Sequence, residues 1–240
     1  MEIKIYTNPV ATAEAIATEL MQLLSNYAGD EFNIALSGGS SPQILFDVLS
    51  KQFASKIPWE KLRFWWGDER CVPPEDNDSN FKMAKEHLLD EIGIKESSIH
   101  RIKGELTPGE ACLQYIKEIE QSLPLRDRLP AFDLILLGMG TDGHTASIFP
   151  DQIHLLNSEK ICEVSTFPGT GQKRVTLTGK IINNADRVFF LVTGDQKKDR
   201  VYEIIKKKDS AHALPSFYIH PAKGKLVFYF DREAAKKITE

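Results

Sequence analysis

Two patterns of apolar residues follow one another along this chain. Short apolar runs are typical of buried strands, and longer segments carry apolar residues every three or four positions, as on one side of a helix. The apolar runs predict strands at residues 3–6, 32–36, 62–66, 132–137, 174–177, 188–192 and 226–230, with a short edge strand at 99–102. The periodic segments predict helices near residues 9–27, 41–53, 79–89 and 107–123.

This order of elements predicts an α/β fold. Strands separated by helices of this length pair in parallel, and the helices cover both faces of the sheet. Proline and glycine near residues 167–171 mark a loop rather than a linker, because strand and helix patterns continue on both sides. We therefore expect a single domain over residues 1–240, built on an open, mainly parallel sheet with helices on both faces.

Capping residues support two of the helix starts. Thr107 is expected to cap the helix at 107–123, with Glu110 completing a capping box. Residues 76–80, Asp-Asn-Asp-Ser-Asn, have the oxygen ligands of a calcium loop but lack its glycine and its closing glutamate. We interpret them as a loop and a helix cap.

Composition narrows the classes of partner. Hydrophobic residues make up 42% of the chain, and the net charge of −4 argues against nucleic-acid binding. Three widely spaced cysteines form no metal-ligand pattern and fit a reducing compartment. Residues 1–6 have a strand pattern rather than that of a signal peptide, and no run approaches the roughly 20 apolar residues that span a bilayer. We expect a cytoplasmic protein without a nucleic-acid partner, a membrane partner or a metal.

A glycine-rich turn after the strand at 132–137 is the strongest indication of chemistry. It carries Asp142 and His144 among three glycines, which permit a close approach of ligand to backbone. An imidazole at the carboxyl edge of a sheet can take and return a proton near neutral pH. The alternative is a tight turn whose histidine satisfies only backbone groups. The adjacent aspartate, the glycines and the strand together favour a catalytic site.

A second turn follows the strand at 32–36 and consists of Ser37, Gly38, Gly39 and Ser40. Its backbone N–H groups, its hydroxyls and the start of the next helix favour an anion such as phosphate. The turn has neither the P-loop pattern nor the dinucleotide fingerprint. An ordinary capped turn is the alternative.

Charged residues follow other strands at the same predicted edge. Asp68 and Arg70 come after the strand at 62–66, where they can hold a polar substrate, or Arg70 can pair structurally with Asp68 or Glu69. Arg174 and Lys197 are each interpretable as surface cations. At the ends of parallel strands, however, both would converge on the serine-glycine turn, and a phosphate-bearing substrate would explain that convergence.

Four motifs together make the chain resemble the 6-phosphogluconolactonases, whose superfamily of Rossmann-like α/β proteins includes the glucosamine-6-phosphate deaminases. The resemblance covers essentially the whole chain. Deaminases carry a glutamate five positions after the histidine, where this chain has Phe149. They also have Asp-Glu-Tyr where this chain has Asp68-Glu69-Arg70. Both differences favour the lactonases. The motifs are Ser37-Gly38-Gly39-Ser40-Ser41-Pro42, Gly67-Asp68-Glu69-Arg70 with Ser79-Asn80, residues 138–150 (GMGTDGHTASIFP) and Arg174-Val175-Thr176.

The resemblance implies hydrolysis of 6-phospho-D-glucono-1,5-lactone to 6-phosphogluconate, the second step of the oxidative pentose phosphate pathway. His144 would deprotonate the attacking water, and Asp142 would orient either the imidazole or that water. Asp68 and Arg70 complete the expected catalytic set. The oxyanion donors are expected from Arg70 or from backbone N–H groups around Gly38, Gly39 or Gly140. The expected substrate and phosphate contacts are Ser37, Gly38, Gly39, Ser40, Arg174 and Lys197.

The resemblance implies no cofactor, and we expect a monomer or a weak homodimer. A glucosamine-6-phosphate deaminase and a sugar-phosphate-sensing module are the alternatives. Such a module normally follows a DNA-binding helix-turn-helix, whereas this chain opens on its first strand. A serine hydrolase would need a G-x-S-x-G elbow, which the sequence lacks, and Cys71 beside Arg70 is better explained as a loop residue than as a nucleophile.

Overall fold

The computed structural model describes residues 1–239 and contains strands in three sheets. The strands are β1 (Glu2–Tyr6), β2 (Phe32–Leu36), β3 (Leu62–Trp66), β4 (Asp68–Arg70), β5 (Leu125–Arg126), β6 (Leu129–Pro130), β7 (Leu134–Leu137), β8 (Cys162–Thr166), β9 (Lys173–Leu177), β10 (Arg187–Val192) and β11 (Lys225–Asp231).

The α-helices alternate with the strands over much of the chain. They are α1 (Pro9–Ser25), α2 (Ser40–Gln52), α3 (Asn80–Ala84), α4 (Asp90–Ile92), α5 (Pro108–Ser122), α6 (Gly179–Ile182), α7 (Lys198–Ile205) and α8 (Arg232–Thr239). A π-helical turn at Lys85–Leu89 joins α3 to α4. No helix within residues 1–239 is both long enough and apolar enough to cross a membrane.

The main sheet has six strands in the order β1-β11-β10-β7-β2-β3, and every neighbouring pair is parallel. Helices flank it, as the sequence predicts. From the adjacent strands β2 and β7 the chain proceeds in opposite directions, to β3 on one side and to β10 on the other. Open parallel sheets bind ligands at such a reversal, beyond the carboxyl ends of the strands.

A separate antiparallel sheet, in the order β4-β9-β8, lies beyond the end of β3. The prediction that Arg174 follows a parallel strand is therefore wrong, because Arg174 lies within β9 and its strand pairs with β4 in antiparallel register. The edge strand predicted at 99–102 is also absent, since only Ile99 forms a bridge, with Phe64. A single bridge leaves most backbone groups of that segment outside the sheet.

The two capping predictions have different outcomes. Ser79 caps α3, because its Oγ accepts a hydrogen bond from the Lys82 N–H at 3.2 Å. Thr107 stands at the N-cap position of α5, as expected, but the predicted capping box is wrong. The hydroxyl of Thr107 instead donates to Oε2 of Glu110 at 2.6 Å, so no side chain caps that helix.

Candidate active site

A cleft of about 220 Å³ opens at the carboxyl ends of β2, β7 and β10. It brings together nearly all of the residues that the sequence singles out, and Asp142 lies behind His144 rather than on the wall. The predicted residues that line the cleft are Ser37, Gly38, Gly39, Ser40, Asp68, Arg70, His144, Arg174 and Lys197. Asn80, Thr193 and Gln196 also line it and were not predicted.

His144 is held by Asp142 through two hydrogen bonds. The ring nitrogen Nδ1 lies 2.6 Å from Oδ1 of Asp142, and the backbone N–H of His144 donates to the same oxygen at 3.1 Å. Burial raises the pKa of Asp142, but the hydrogen bond and charge of His144 outweigh that effect and lower it overall. Asp142 therefore orients the imidazole, and Nε2 is left as the nitrogen that can exchange a proton with a ligand.

The turn that carries this pair has no room for a side chain at Gly140. A Cβ atom there would lie 2.2 Å from Nδ1 of His144 and 2.5 Å from Oδ1 of Asp142. The Gly140 N–H donates to the His144 carbonyl at 2.9 Å. That N–H is consequently occupied, which removes Gly140 from the backbone groups considered as oxyanion donors.

The serine-glycine turn presents open backbone N–H groups. Gly39, whose φ of +113° favours glycine, precedes α2, and no side chain caps this helix. Within residues 1–239 the N–H groups of Gly38 and Gly39 donate to no protein acceptor. The Ser37 hydroxyl is different, because it donates to the Leu136 carbonyl at 2.8 Å and ties β2 to β7.

Arg70 and Arg174 lie directly opposite each other across β4 and β9. Neither forms an ion pair with a carboxylate of residues 1–239, and the Nε of each is buried without a hydrogen-bond partner. The structural pairing of Arg70 with Asp68 or Glu69 is therefore not seen. Like charges directly opposite destabilise a strand pair, so an anion bound between them would stabilise this one.

Burial shifts the pKa of Arg174 in β9 and of Glu69, the neighbour of Arg70 in β4. It lowers the pKa of Arg174, and the negative charge of Asp68 partly offsets this. Glu69 is buried and accepts four hydrogen bonds, from Ser79 and from the backbone N–H groups of residues 70, 80 and 81. Burial nevertheless raises the pKa of Glu69 to about 7. Through these hydrogen bonds Glu69 connects β4, the strand of Arg70, to the segment that contains Asn80.

Two further residues organise the cleft. Ser147 donates to Oδ2 of Asp68 at 2.6 Å and receives a longer contact from Arg174 at 3.4 Å. Asn80 donates to the Asp68 carbonyl at 2.9 Å, and its Oδ1 occupies the space that a Cβ of Gly38 would need, at 1.7 Å. Both residues stand inside the motifs that carry the family resemblance, but sequence alone did not show these contacts.

Lys197 follows β10 in a short 3₁₀ turn and is half-buried on the cleft wall. Burial lowers the pKa of its ammonium group, and the charge of Asp142 raises it. Beside it, the hydroxyls of Ser41 and Thr193 lie 2.7 Å apart and connect the start of α2 to the end of β10. The cleft therefore combines three cations with an imidazole in one concave site.

Comparisons with known proteins find related sequences and related folds. The family model described as glucosamine-6-phosphate isomerases/6-phosphogluconolactonase matches residues 7–228. A 6-phosphogluconolactonase of Treponema pallidum is 48% identical over 191 residues, covering 80% of this chain and 79% of the relative. The solved structure of the devB protein has a TM-score of 0.94 at 36% identity, covering 99% of both chains. That of 6-phosphogluconolactonase from Trypanosoma brucei has a TM-score of 0.88 at 30% identity, covering 99% and 98%.

Proposed function

The chain belongs to the family of glucosamine-6-phosphate isomerases and 6-phosphogluconolactonases, and we propose that His144 is the general base with which it opens its lactone. It is a hydrolase that converts 6-phospho-D-glucono-1,5-lactone to 6-phosphogluconate in the pentose phosphate pathway. The observation that carries the His144 assignment is the 2.6 Å contact of Asp142 with Nδ1, in the same cleft as two arginines that pair with no carboxylate of residues 1–239.

The reaction begins with a water molecule beside Nε2 of His144. The imidazole takes one proton, the hydroxide forms a bond to the lactone carbonyl carbon, and the carbonyl oxygen becomes negatively charged. The imidazolium is stabilised by the Asp142 carboxylate on its other nitrogen. When the oxyanion collapses, the bond to the ring oxygen breaks and His144 returns its proton to that oxygen. The product is the open-chain acid, and the enzyme regains its starting protonation state.

The oxyanion requires preorganised donors. The N–H of Gly140 is already donated, so the open N–H groups of Gly38 and Gly39 are assigned to this role. The phosphate is then assigned to Arg174, with Arg70 opposite it and with Ser40 and Lys197 on the same cleft wall. Anchoring the remote phosphate orients the carbonyl toward His144, which uses binding energy to promote the reaction.

Phe149 bears on the choice between the two branches of the family. Its ring is fully buried and lies 4.9 Å from the imidazole of His144, measured between ring centroids. A deaminase has a carboxylate at this position, whereas here the imidazole meets an apolar ring. The site therefore lacks the group that assists ring opening of an amino sugar phosphate.

Two assays run side by side test this function. Freshly generated 6-phosphogluconolactone should release protons at a rate proportional to enzyme, above spontaneous opening, and glucosamine 6-phosphate should release no ammonia above background. Ammonia release proportional to enzyme would show that the argument from Phe149 is mistaken.

Three expectations from the sequence stay predictions. They are the single domain over residues 1–240, the cytoplasmic location, and the monomer or weak homodimer.

A further inference from the structure

The surroundings of the Arg174 guanidinium are unusual for a buried cation. The residue is 9% exposed, and its Cζ lies 5.6 Å from the ring centroid of Phe149 and 4.8 Å from that of Phe167. The two rings contact each other, with centroids 5.5 Å apart and planes inclined by 56°. Buried charges usually have an oppositely charged partner, whereas this one has aromatic faces.

We propose that Phe149 and Phe167 form an aromatic clamp that positions Arg174 and keeps its charge and N–H donors available for the substrate phosphate. Both are positioning residues, since they act through Arg174. The inference rests on the proposed function, because it assumes that the bound anion is the phosphate of the lactone. It adds a reason why this buried arginine needs no carboxylate.

The physical argument compares two ways of holding a guanidinium. A carboxylate would take up to two N–H donors and neutralise the charge, so both would have to be released before phosphate could bind. An aromatic ring attracts the cation through its negative face and accepts none of the in-plane N–H groups. Within the described residues 1–239, the terminal nitrogens of Arg174 form two hydrogen bonds, both long at 3.4 Å, to Ser147 and Gln172.

The two rings differ in a way that makes the proposal testable. Phe149 is fully buried and also contacts His144, so replacing it disturbs the base and the core together. Phe167 is half-buried, lies in the turn between β8 and β9, and contacts Arg174 without contacting His144. Replacing Phe167 therefore isolates the contribution of the clamp to anion binding.

The experiment uses Phe167→Leu, Phe167→Tyr and both substitutions in an Arg174→Ala background. Phe167→Leu should raise KM for the phosphorylated lactone by roughly 5- to 30-fold with little change in kcat, as expected for one desolvated cation–π contact. Phe167→Tyr, which keeps the ring, should stay near wild type. In the Arg174→Ala background neither substitution should have a further effect. Phe53→Leu is the matched control, because it removes the ring under Lys56 away from the cleft.

A second readout separates this inference from the proposed function. Inorganic phosphate, titrated calorimetrically, should bind wild type and Phe167→Tyr equally and Phe167→Leu more weakly by a similar factor. An unchanged phosphate affinity and KM in Phe167→Leu would overturn the clamp even if lactone hydrolysis is normal. The clamp would also be overturned if Phe167→Leu weakened phosphate binding by the same factor in the Arg174→Ala background as in wild type, because the ring would then act without Arg174. Absent lactonase activity with the predicted phosphate result would instead contradict the proposed function.

Discussion

Replacing Arg174 by alanine removes one of the two arginines that face each other across β4 and β9. In the free protein little hydrogen bonding is lost, because the only hydrogen bonds of the guanidinium to residues 1–239 are those of 3.4 Å to Ser147 and Gln172. The main expected effect therefore falls on the bound state, in which the phosphate loses a buried cation. We expect the variant to keep its fold, with some loss of stability from the space left between two phenylalanine rings.

The size of the effect follows from this environment. A charge-assisted hydrogen bond contributes about 1.5–3 kcal/mol, which corresponds to a loss of roughly 10- to 150-fold in kcat/KM. Arg70 remains opposite the vacated position and Lys197 remains on the cleft wall, so the phosphate keeps two cations and the loss should not exceed this range. A change in KM alone would indicate that the phosphate only anchors the substrate, and a fall in kcat as well would indicate that it also aligns the carbonyl.

The discriminating assay compares two substrates. Wild type should open glucono-1,5-lactone, which has no phosphate, much more slowly than the phosphorylated lactone. Arg174→Ala should lose far less activity on the unphosphorylated substrate. Arg63→Ala is the matched control, because Arg63 pairs with Glu31 outside the cleft. Equal proportional losses on both substrates would refute the phosphate assignment and place Arg174 in the fold or at the lactone ring.

Three further changes test the neighbouring groups. Asp142→Asn should lower kcat by ~10²–10⁴-fold with little change in KM, because the amide has no charge to stabilise the His144 imidazolium and its NH2 group can hold the wrong tautomer. Steady-state kinetics would show an unchanged kcat if this is wrong. Gly140→Ala should cost about 100-fold in kcat with an unchanged circular dichroism spectrum, since its Cβ would meet Nδ1 of His144 at 2.2 Å. Glu69 binds its proton more tightly when folded, with a pKa of about 7 against the usual 4.5. Its contribution to stability is thus greatest below pH 4.5 and is lost as pH rises through 7, by roughly 3 kcal/mol. Urea unfolding of Glu69→Gln should show a flatter pH dependence than wild type over that window, and parallel curves would contradict the assignment.

The main sheet was predictable because its strands are short runs of apolar residues in the sequence. Strands β2 and β3 match their predicted bounds, and the glycine turns follow β2 and β7 where the strand order reverses. That a cleft forms there follows from general rules for parallel sheets. The sequence thus predicted where the cleft lies and most of the residues that line it.

The second sheet was not predictable by the same means. Strand β4 consists of Asp68, Glu69 and Arg70, whose polar side chains have no strand-like pattern, and its pairing depends on tertiary contacts with β9. The opposition of Arg70 and Arg174 could not be seen for that reason. Likewise, two positions in a turn do not determine a side-chain contact, so the role of Asp142 on Nδ1 needed coordinates.

The central claim is that His144 moves the proton in lactone opening, and replacing this residue tests it most directly. Proton release from fresh 6-phosphogluconolactone should be measured for wild type, His144→Ala and His154→Ala, with spontaneous opening subtracted. His154 is an exposed histidine on a 3₁₀ turn and serves as the control. We predict a ~10²–10⁴-fold loss of kcat for His144→Ala, an unchanged circular dichroism spectrum and near-normal activity for His154→Ala. A folded His144→Ala enzyme that turns over at close to the wild-type rate would contradict the account.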